Sequence, residues 1–320
     1  MEKRVLVTGA NGMIGNAVAR AFVRAGWTTF GLVRKQTALE ALAAEEIEPV
    51  LGSPSDLSFT PSLPALDVIV SVTEDLANYV PHFQDVMNLI RTLATTSSQA
   101  GKRPLVLFTS GCKDYGMTGL HGSAGLAPHT EDSPINVPPM LRARAENAPS
   151  VFEYVDLFDG VVLRPTTIFG LGGSYYGALF DFAAQAVEDG ALVFSAPRTA
   201  IMHGLHVDDC AEAYVALAEY PDRKAVAGQF FNVSGRRYET LEEVANALAR
   251  EYEIPGGVRF VDPTPSDPIE MDNMVINFPQ WVGSDKIRGL TGWEDKRALF
   301  SEGVHVYRKA FEALDARGDE

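Results

Sequence analysis

Three glycines, Gly9, Gly12 and Gly15, stand in Thr8-Gly9-Ala10-Asn11-Gly12-Met13-Ile14-Gly15. A run of strand character, Arg4-Val5-Leu6-Val7-Thr8, precedes them, and a helical pattern from Asn16 to Ala25 follows. In that context Gly9 permits a tight turn, Gly12 lets the backbone approach a pyrophosphate, and Gly15 allows a helix to pack closely on a strand. The helix N-terminus then offers N–H groups and partial positive charge to phosphate oxygens. A bound dinucleotide is the expectation, held by Gly9, Asn11, Gly12, Met13, Ile14 and Gly15. The second strand ends Gly31-Leu32-Val33-Arg34-Lys35. It lacks the Asp or Glu that accepts from an NAD ribose 2′-hydroxyl, whereas Arg34, with Lys35 beside it, suits a 2′-phosphate. NADP (NADPH) is therefore expected, with NAD possible.

The elements that must position this loop alternate in type. Strands are predicted at 4–8, 28–33, 47–51, 67–72, 105–110 and 161–164. Helices are predicted at 16–25, 39–44 and 82–97, with another over 142–158 interrupted at Pro149. This alternation predicts an α/β fold, a Rossmann-like doubly wound parallel sheet. Later helices are predicted at 178–188, at 207–219 with Asp208 and Asp209 capping its start, and at 240–252 with Thr240 and Glu243 spaced as a capping box. The stretch 256–282, rich in Pro and Asp, reads as irregular. The expected division is a dinucleotide-binding domain over 1–170 with 206–234 interleaved, and a small C-terminal substrate lobe from 171–205 and 235–320.

Composition narrows the partners. Across 320 residues, 27 Lys and Arg stand against 42 Asp and Glu, a net charge of -15. That balance argues against nucleic acid and against an anionic membrane surface. No apolar run approaches the roughly 20 residues of a membrane helix. Met1-Glu2-Lys3-Arg4 does not open a signal peptide, and Cys112 and Cys210 are too sparse for a disulfide framework. A cytoplasmic protein with a small-molecule substrate is expected, and a homodimer is possible.

Further segments carry a resemblance. These are Phe108-Thr109-Ser110-Gly111-Cys112-Lys113-Asp114-Tyr115-Gly116, Val161-Val162-Leu163-Arg164-Pro165, Ile168-Phe169-Gly170, His206-Val207-Asp208-Asp209, Phe231-Asn232-Val233 and Thr291-Gly292-Trp293. In this order, with the glycine loop, they resemble the extended short-chain dehydrogenase/reductase family. The branch is that of NAD-dependent nucleotide-sugar epimerases and dehydratases and dihydroflavonol reductases.

The resemblance implies a catalytic Ser, Tyr and Lys, with Tyr as acid or base, Lys lowering its pKa and binding the nicotinamide ribose, and Ser holding the substrate oxygen. This chain departs from that set. The Ser position, four before Tyr115, is Gly111, and Ser110 on a strand should face the other way. No tyrosine lies between 116 and 153, where the Tyr-x-x-x-Lys helix belongs. If Arg144 replaces the Lys, the Tyr position is Met140; if Arg142 does, it is Pro138. The literal Tyr220 to Lys224 spacing falls in a Pro-Asp turn beyond the right helix. Val70-Ser71-Val72-Thr73-Glu74 replaces an Ala-rich turn, and Gly52-Ser53-Pro54 lacks an acid for adenine.

Substitutes are therefore needed. Arg142 or Arg144 remains able to hydrogen-bond the ribose but stays protonated. Tyr115 is the best acid by type, unless it is a packed family tyrosine. His121 and His129 lie in the loop expected over the active site and titrate near neutrality. Cys112 has no nearby His to activate it as a nucleophile. His203 and His206 beside Asp208 and Asp209 read as structural, so no metal is expected. Tyr175 and Tyr176 are placed on the substrate side. The leading function is an NADP-binding oxidoreductase acting on a small carbonyl or alcohol compound without the usual triad. The alternatives are a non-redox isomerase, cyclase or lyase on the same fold, and a catalytically silent dinucleotide sensor.

Overall fold

The computed structural model describes residues 2–171, 174–262 and 274–318. Six strands, β1 (Arg4–Thr8), β2 (Thr28–Val33), β3 (Glu48–Leu51), β4 (Val68–Ser71), β5 (Leu105–Thr109) and β6 (Asp159–Pro165), join a seventh at Gln229–Val233. All pair in parallel, in the order 229–233, β6, β5, β4, β1, β2, β3. The β-branched runs follow from this: central strands are covered on both faces, so they are apolar throughout rather than alternating. Their side chains divide by parity between two cores. Val5, Val7, Val68, Val70, Leu105 and Leu107 enter one, and Leu6, Ile69, Val106 and Phe108 enter the other.

The first core is closed by α1 (Met13–Arg24) and the helix Val207–Glu219, which pack on each other. The second is closed by α3 (Tyr79–Gln99), whose Phe83, Val86, Leu89, Ile90 and Leu93 are buried there. The short α2 (Leu39–Ala44) leads into β3. A third core, built on Phe169, Tyr176, Phe180, Phe194 and Phe300, gathers the helices Gly177–Asp189, Leu241–Glu251 and Phe300–Gly318. Among the described residues, no helix is long and apolar enough to cross a membrane.

Several local expectations change for physical reasons. The first helix starts at Met13, immediately after Gly12, so the glycine loop opens directly into it. The helix predicted over 142–158 is a short α4 (Arg142–Asn147) followed by 3-10 turns from Ala148 to Glu153, with Pro149 near their start. Proline removes the N–H that an α-helix would need there. Asp208 and Asp209 do not cap their helix. His206 is the cap, its Nδ1 accepting from the Asp208 N–H at 3.1 Å. The aspartates instead reach other segments. Asp208 pairs with Arg20 at 2.9 Å and Arg297 at 2.6 Å, and Asp209 accepts from the backbone N–H groups of Lys296 and Arg297. The Thr240–Glu243 capping box is present as read. The helix Asp285–Thr291, assigned by sequence to the small lobe, packs with Ile287 and Trp293 on the sheet's first core. Of the irregular 256–282 stretch, 263–273 lie outside the described residues; Met274–Asn277 is helical.

Candidate active site

The strand order reverses between β1 and β4, so the loops leaving their C-terminal ends part and open a crevice. The Gly9–Gly15 loop lines it on one side and Val72, Thr73 and Glu74 on the other. The cleft holds about 680 Å³ and runs past Thr109–Lys113, Leu141, Arg144 and Pro165–Ile168 to Ser174, Tyr175, Ala178, Met274 and Val275. That volume lies within the ordinary span of ligand pockets.

The glycines divide their tasks visibly. Gly9 has φ +62°, a left-handed turn that its own lack of a side chain permits. A Cβ on Gly15 would lie 2.1 Å from the Gly9 carbonyl oxygen, so the helix and loop touch backbone to backbone. A Cβ on Gly12 would meet that oxygen at 3.3 Å and otherwise point into open space. Among the described residues no side chain caps α1, and its first turn holds no acid. Its first N–H groups and positive dipole end are therefore uncompensated at the cleft, as an anionic pyrophosphate requires. Thr166 also lines the cleft, and its buried Oγ1 has no hydrogen-bond partner among the described residues. A dinucleotide fits these features at its phosphates.

Behind the cleft wall lies a charge cluster that the sequence did not flag. Asp114, 0% exposed, accepts from Ser110 Oγ at 2.8 Å and from Arg144 Nε and Nη2 at 3.1 and 2.7 Å. Arg164 Nε stands 3.7 Å away. Arg144 Nη1 turns to Glu74 Oε1 at 3.5 Å. The signal was an unpaired acid in Cys112-Lys113-Asp114-Tyr115 just past a buried strand, which needs a cation from elsewhere. Of the two arginines considered, Arg144 lines the cleft; Arg142 is exposed outside it, so it is withdrawn as a ribose contact. Ser110 also departs from the parity argument. β5 ends at Thr109, and beyond it Ser110 lines the cleft with its hydroxyl committed to Asp114.

Lys113 lines the cleft as well. Its Nζ lies 4.4 Å from the centre of the Phe278 ring and 3.4 Å from the Met274 carbonyl oxygen. Burial, reinforced by the Arg144 charge, lowers its pKa to about 7.

The three catalytic candidates chosen from sequence do not line the cleft. Tyr115 is 1% exposed; its hydroxyl donates to Asn232 Oδ1 and accepts from Arg164 Nη1, both at 2.9 Å. Burial pushes that phenol up to about 12. His129 stacks on Tyr115, with ring centres 5.4 Å apart, and its backbone bridges Trp281 and Gly283. His121 lies on a separate surface, its Nδ1 2.8 Å from the Tyr238 hydroxyl. The loop carrying them hydrogen-bonds to Thr199, Asn232, Pro279 and Trp281. Cys112 is buried, its thiol donating to the Arg164 carbonyl and pushed up by that burial. His203 is held by Gly235 and Val282 backbone groups. Of the two tyrosines, Tyr175 lines the cleft, whereas Tyr176 is buried in the small lobe. Gly9, Gly12, Met13, Ile14 and Gly15 line the cleft; Asn11 is exposed on the turn beside it, and Arg34 is exposed just past β2.

A doubly wound sheet with a glycine loop at its switch point defines a dinucleotide-binding fold. The sequence profile of the NAD dependent epimerase/dehydratase family matches residues 5–234, and the chain belongs to that family. It is 25% identical over 311 residues to the ceramide reductase of Caulobacter vibrioides, covering 94% of this chain and 88% of the relative. Its fold is similar to dTDP-glucose 4,6-dehydratase from Bacillus anthracis in complex with NAD, with TM-score 0.74 and 16% identity over 98% of each chain. It is also similar to UDP-glucose 4-epimerase from Thermotoga maritima, with TM-score 0.73 and 16% identity over 97% of this chain and 99% of that one.

Proposed function

We propose that this chain is an NADP-dependent oxidoreductase acting on a small, uncharged carbonyl or alcohol compound. One observation carries the reading: a single cleft begins at the uncapped N-terminus of α1 and ends among side chains that suit an apolar ligand. Beyond the α1 end, Leu141, Ile168, Met274 and Val275 line it, and such a surface favours an uncharged partner. The family membership and a relative named as a reductase support hydride chemistry.

When bound, the dinucleotide supplies the hydride. The chain's own part is to hold and orient. The N–H groups of α1 take the pyrophosphate. Arg34, exposed at the end of β2 with no acid beside it, takes the 2′-phosphate. Arg144, fixed by Asp114 and turned through Nη1 to Glu74, lines the cleft as a permanent positive charge beside the ribose or substrate oxygen.

The test is titration of the protein with NADPH and NADH by nicotinamide fluorescence, followed by NADPH consumption with carbonyl compounds. Tighter NADPH binding with carbonyl-dependent oxidation is expected. Absent binding overturns the reading. Tight binding without turnover on any carbonyl moves the protein to the silent-sensor reading.

A further inference from the structure

Reduction of a carbonyl needs a proton for the oxygen, and the cleft must contain its source. Ser110 Oγ already donates to Asp114. Arg144 is held by the same carboxylate and does not release a proton at neutral pH. Tyr115, His121 and His129 lie elsewhere. Lys113 is different in kind. It follows the β5 end and lines the cleft, and among the described residues its ammonium meets a ring face and one long carbonyl contact. An ammonium has three donors, and among the described residues the Met274 carbonyl takes one of them.

We infer that Lys113 is the proton donor to the substrate oxygen, an assignment that rests on the oxidoreductase reading above. The hydride's electron pair forms the new C–H bond at the carbonyl carbon, and the C=O π pair moves onto oxygen. Oxygen forms an O–H bond with a proton from Lys113 Nζ, and the N–H electrons stay on nitrogen. The neutral amine then regains its proton from water. The carbonyl is reduced and the dinucleotide oxidised; in the alcohol direction the neutral amine is the base. The apolar setting that strips water from the amine, with the Arg144 charge nearby, also brings its titration to about pH 7. A general acid works best when its pKa is near the working pH.

Two measurements test this. In protein labelled with 13C-lysine, the Lys113 Cε resonance, assigned by its loss in Lys113→Met, is followed against pH without cofactor. Titration near neutrality is expected; titration with ordinary lysines, above about pH 9, overturns the assignment. Reduction of 9,10-phenanthrenequinone by NADPH is then compared in wild type, Lys113→Met, Lys113→Arg and Tyr175→Phe. Both Lys113 variants should lose at least about tenfold in kcat, with NADPH affinity held within about threefold. The wild-type fall in rate as pH rises through neutrality should disappear in Lys113→Arg, which keeps the charge but cannot give up the proton. Wild-type turnover in Lys113→Met overturns the assignment, as does a loss confined to Tyr175→Phe. Intact NADPH binding with normal variant kinetics defeats the donor alone. A wild type that neither binds NADPH nor reduces the quinone defeats the oxidoreductase reading, and the donor with it.

Discussion

The guanidinium of Arg144 fills the space that a side chain on Gly111 would need: a Cβ there would lie 3.0 Å from Nη2 and 3.1 Å from Cζ. Arg144 cannot swing away, because Asp114, buried beneath it, holds two of its nitrogens. Gly111 and the Arg144 guanidinium thus share one space. Gly111→Ser should destabilise by about 1–3 kcal/mol, the usual overpacking cost. Arg144→Met should cost about 3–5 kcal/mol by leaving Asp114 as an unpaired buried charge. In the double variant the serine costs nothing further, so urea midpoints should show strong non-additivity. Additive losses would refute the shared-space account.

The loop glycines should separate binding from folding. Gly12→Val points its side chain into the cleft mouth and should abolish NADPH binding, at a stability cost of about 1 kcal/mol or less. Gly15→Ala forces a Cβ against the Gly9 carbonyl and should cost more than about 3 kcal/mol, beyond common overpacking. Circular-dichroism melts beside NADPH titrations distinguish the two, and equal stability losses would contradict the division of tasks.

The proposed preference for NADPH turns on Arg34. Arg34→Ala should weaken NADPH by about 1.5–3 kcal/mol, the worth of a charge-assisted hydrogen bond, and leave NADH unchanged. Isothermal titration reads both, and equal weakening of the two cofactors would remove the 2′-phosphate from the explanation.

Lys113 also makes a stability prediction in the absence of any ligand. Its folded pKa of about 7 lies below the ordinary lysine value of 10.5. Between those values the unfolded chain binds more protons, so the penalty for burying the ammonium is whole below neutrality and shrinks as pH rises toward 10.5. Lys113→Met should therefore raise Tm most at pH 6 to 7, and the gain should fade toward about pH 10. A pH-independent difference in melting would be inconsistent with a desolvated amine.

Tyr115→Phe removes the partner of Asn232 and Arg164 and should cost about 1–3 kcal/mol, with kcat unchanged. His121→Ala should alter neither NADPH affinity nor turnover, since its ring faces Tyr238 on another surface. A tenfold fall in kcat for either variant would return that residue to the catalytic set.

The sheet was readable because buried parallel strands are written as continuous apolar runs, and Val5-Leu6-Val7 or Val68-Ile69-Val70 has little else to be. The phosphate loop was readable because its glycines answer to backbone geometry, which is local. The catalytic side was not local. Tyr115 was chosen by residue type, and burial had already consumed its hydroxyl on Asn232, 117 positions away. Asp114 and Arg144 meet across 30 residues, and Lys113 is changed by burial, with the distant Met274 and Phe278 against it, and by the Arg144 charge. Residue type and spacing carry no record of such desolvation.

The latch formed by Asp208 and Asp209 has a consequence during synthesis. Chains fold from the N-terminus as they emerge, and the sheet half contains every strand by Val233. Yet Asp209, 3% exposed, finds its donors on Lys296 and Arg297, and Asp208 finds its second arginine at Arg297. Until those residues leave the ribosome, Asp209 has neither peptide donor and Asp208 lacks its second cation. The nascent sheet half therefore waits, incompletely stabilised, for Lys296 and Arg297 to close it.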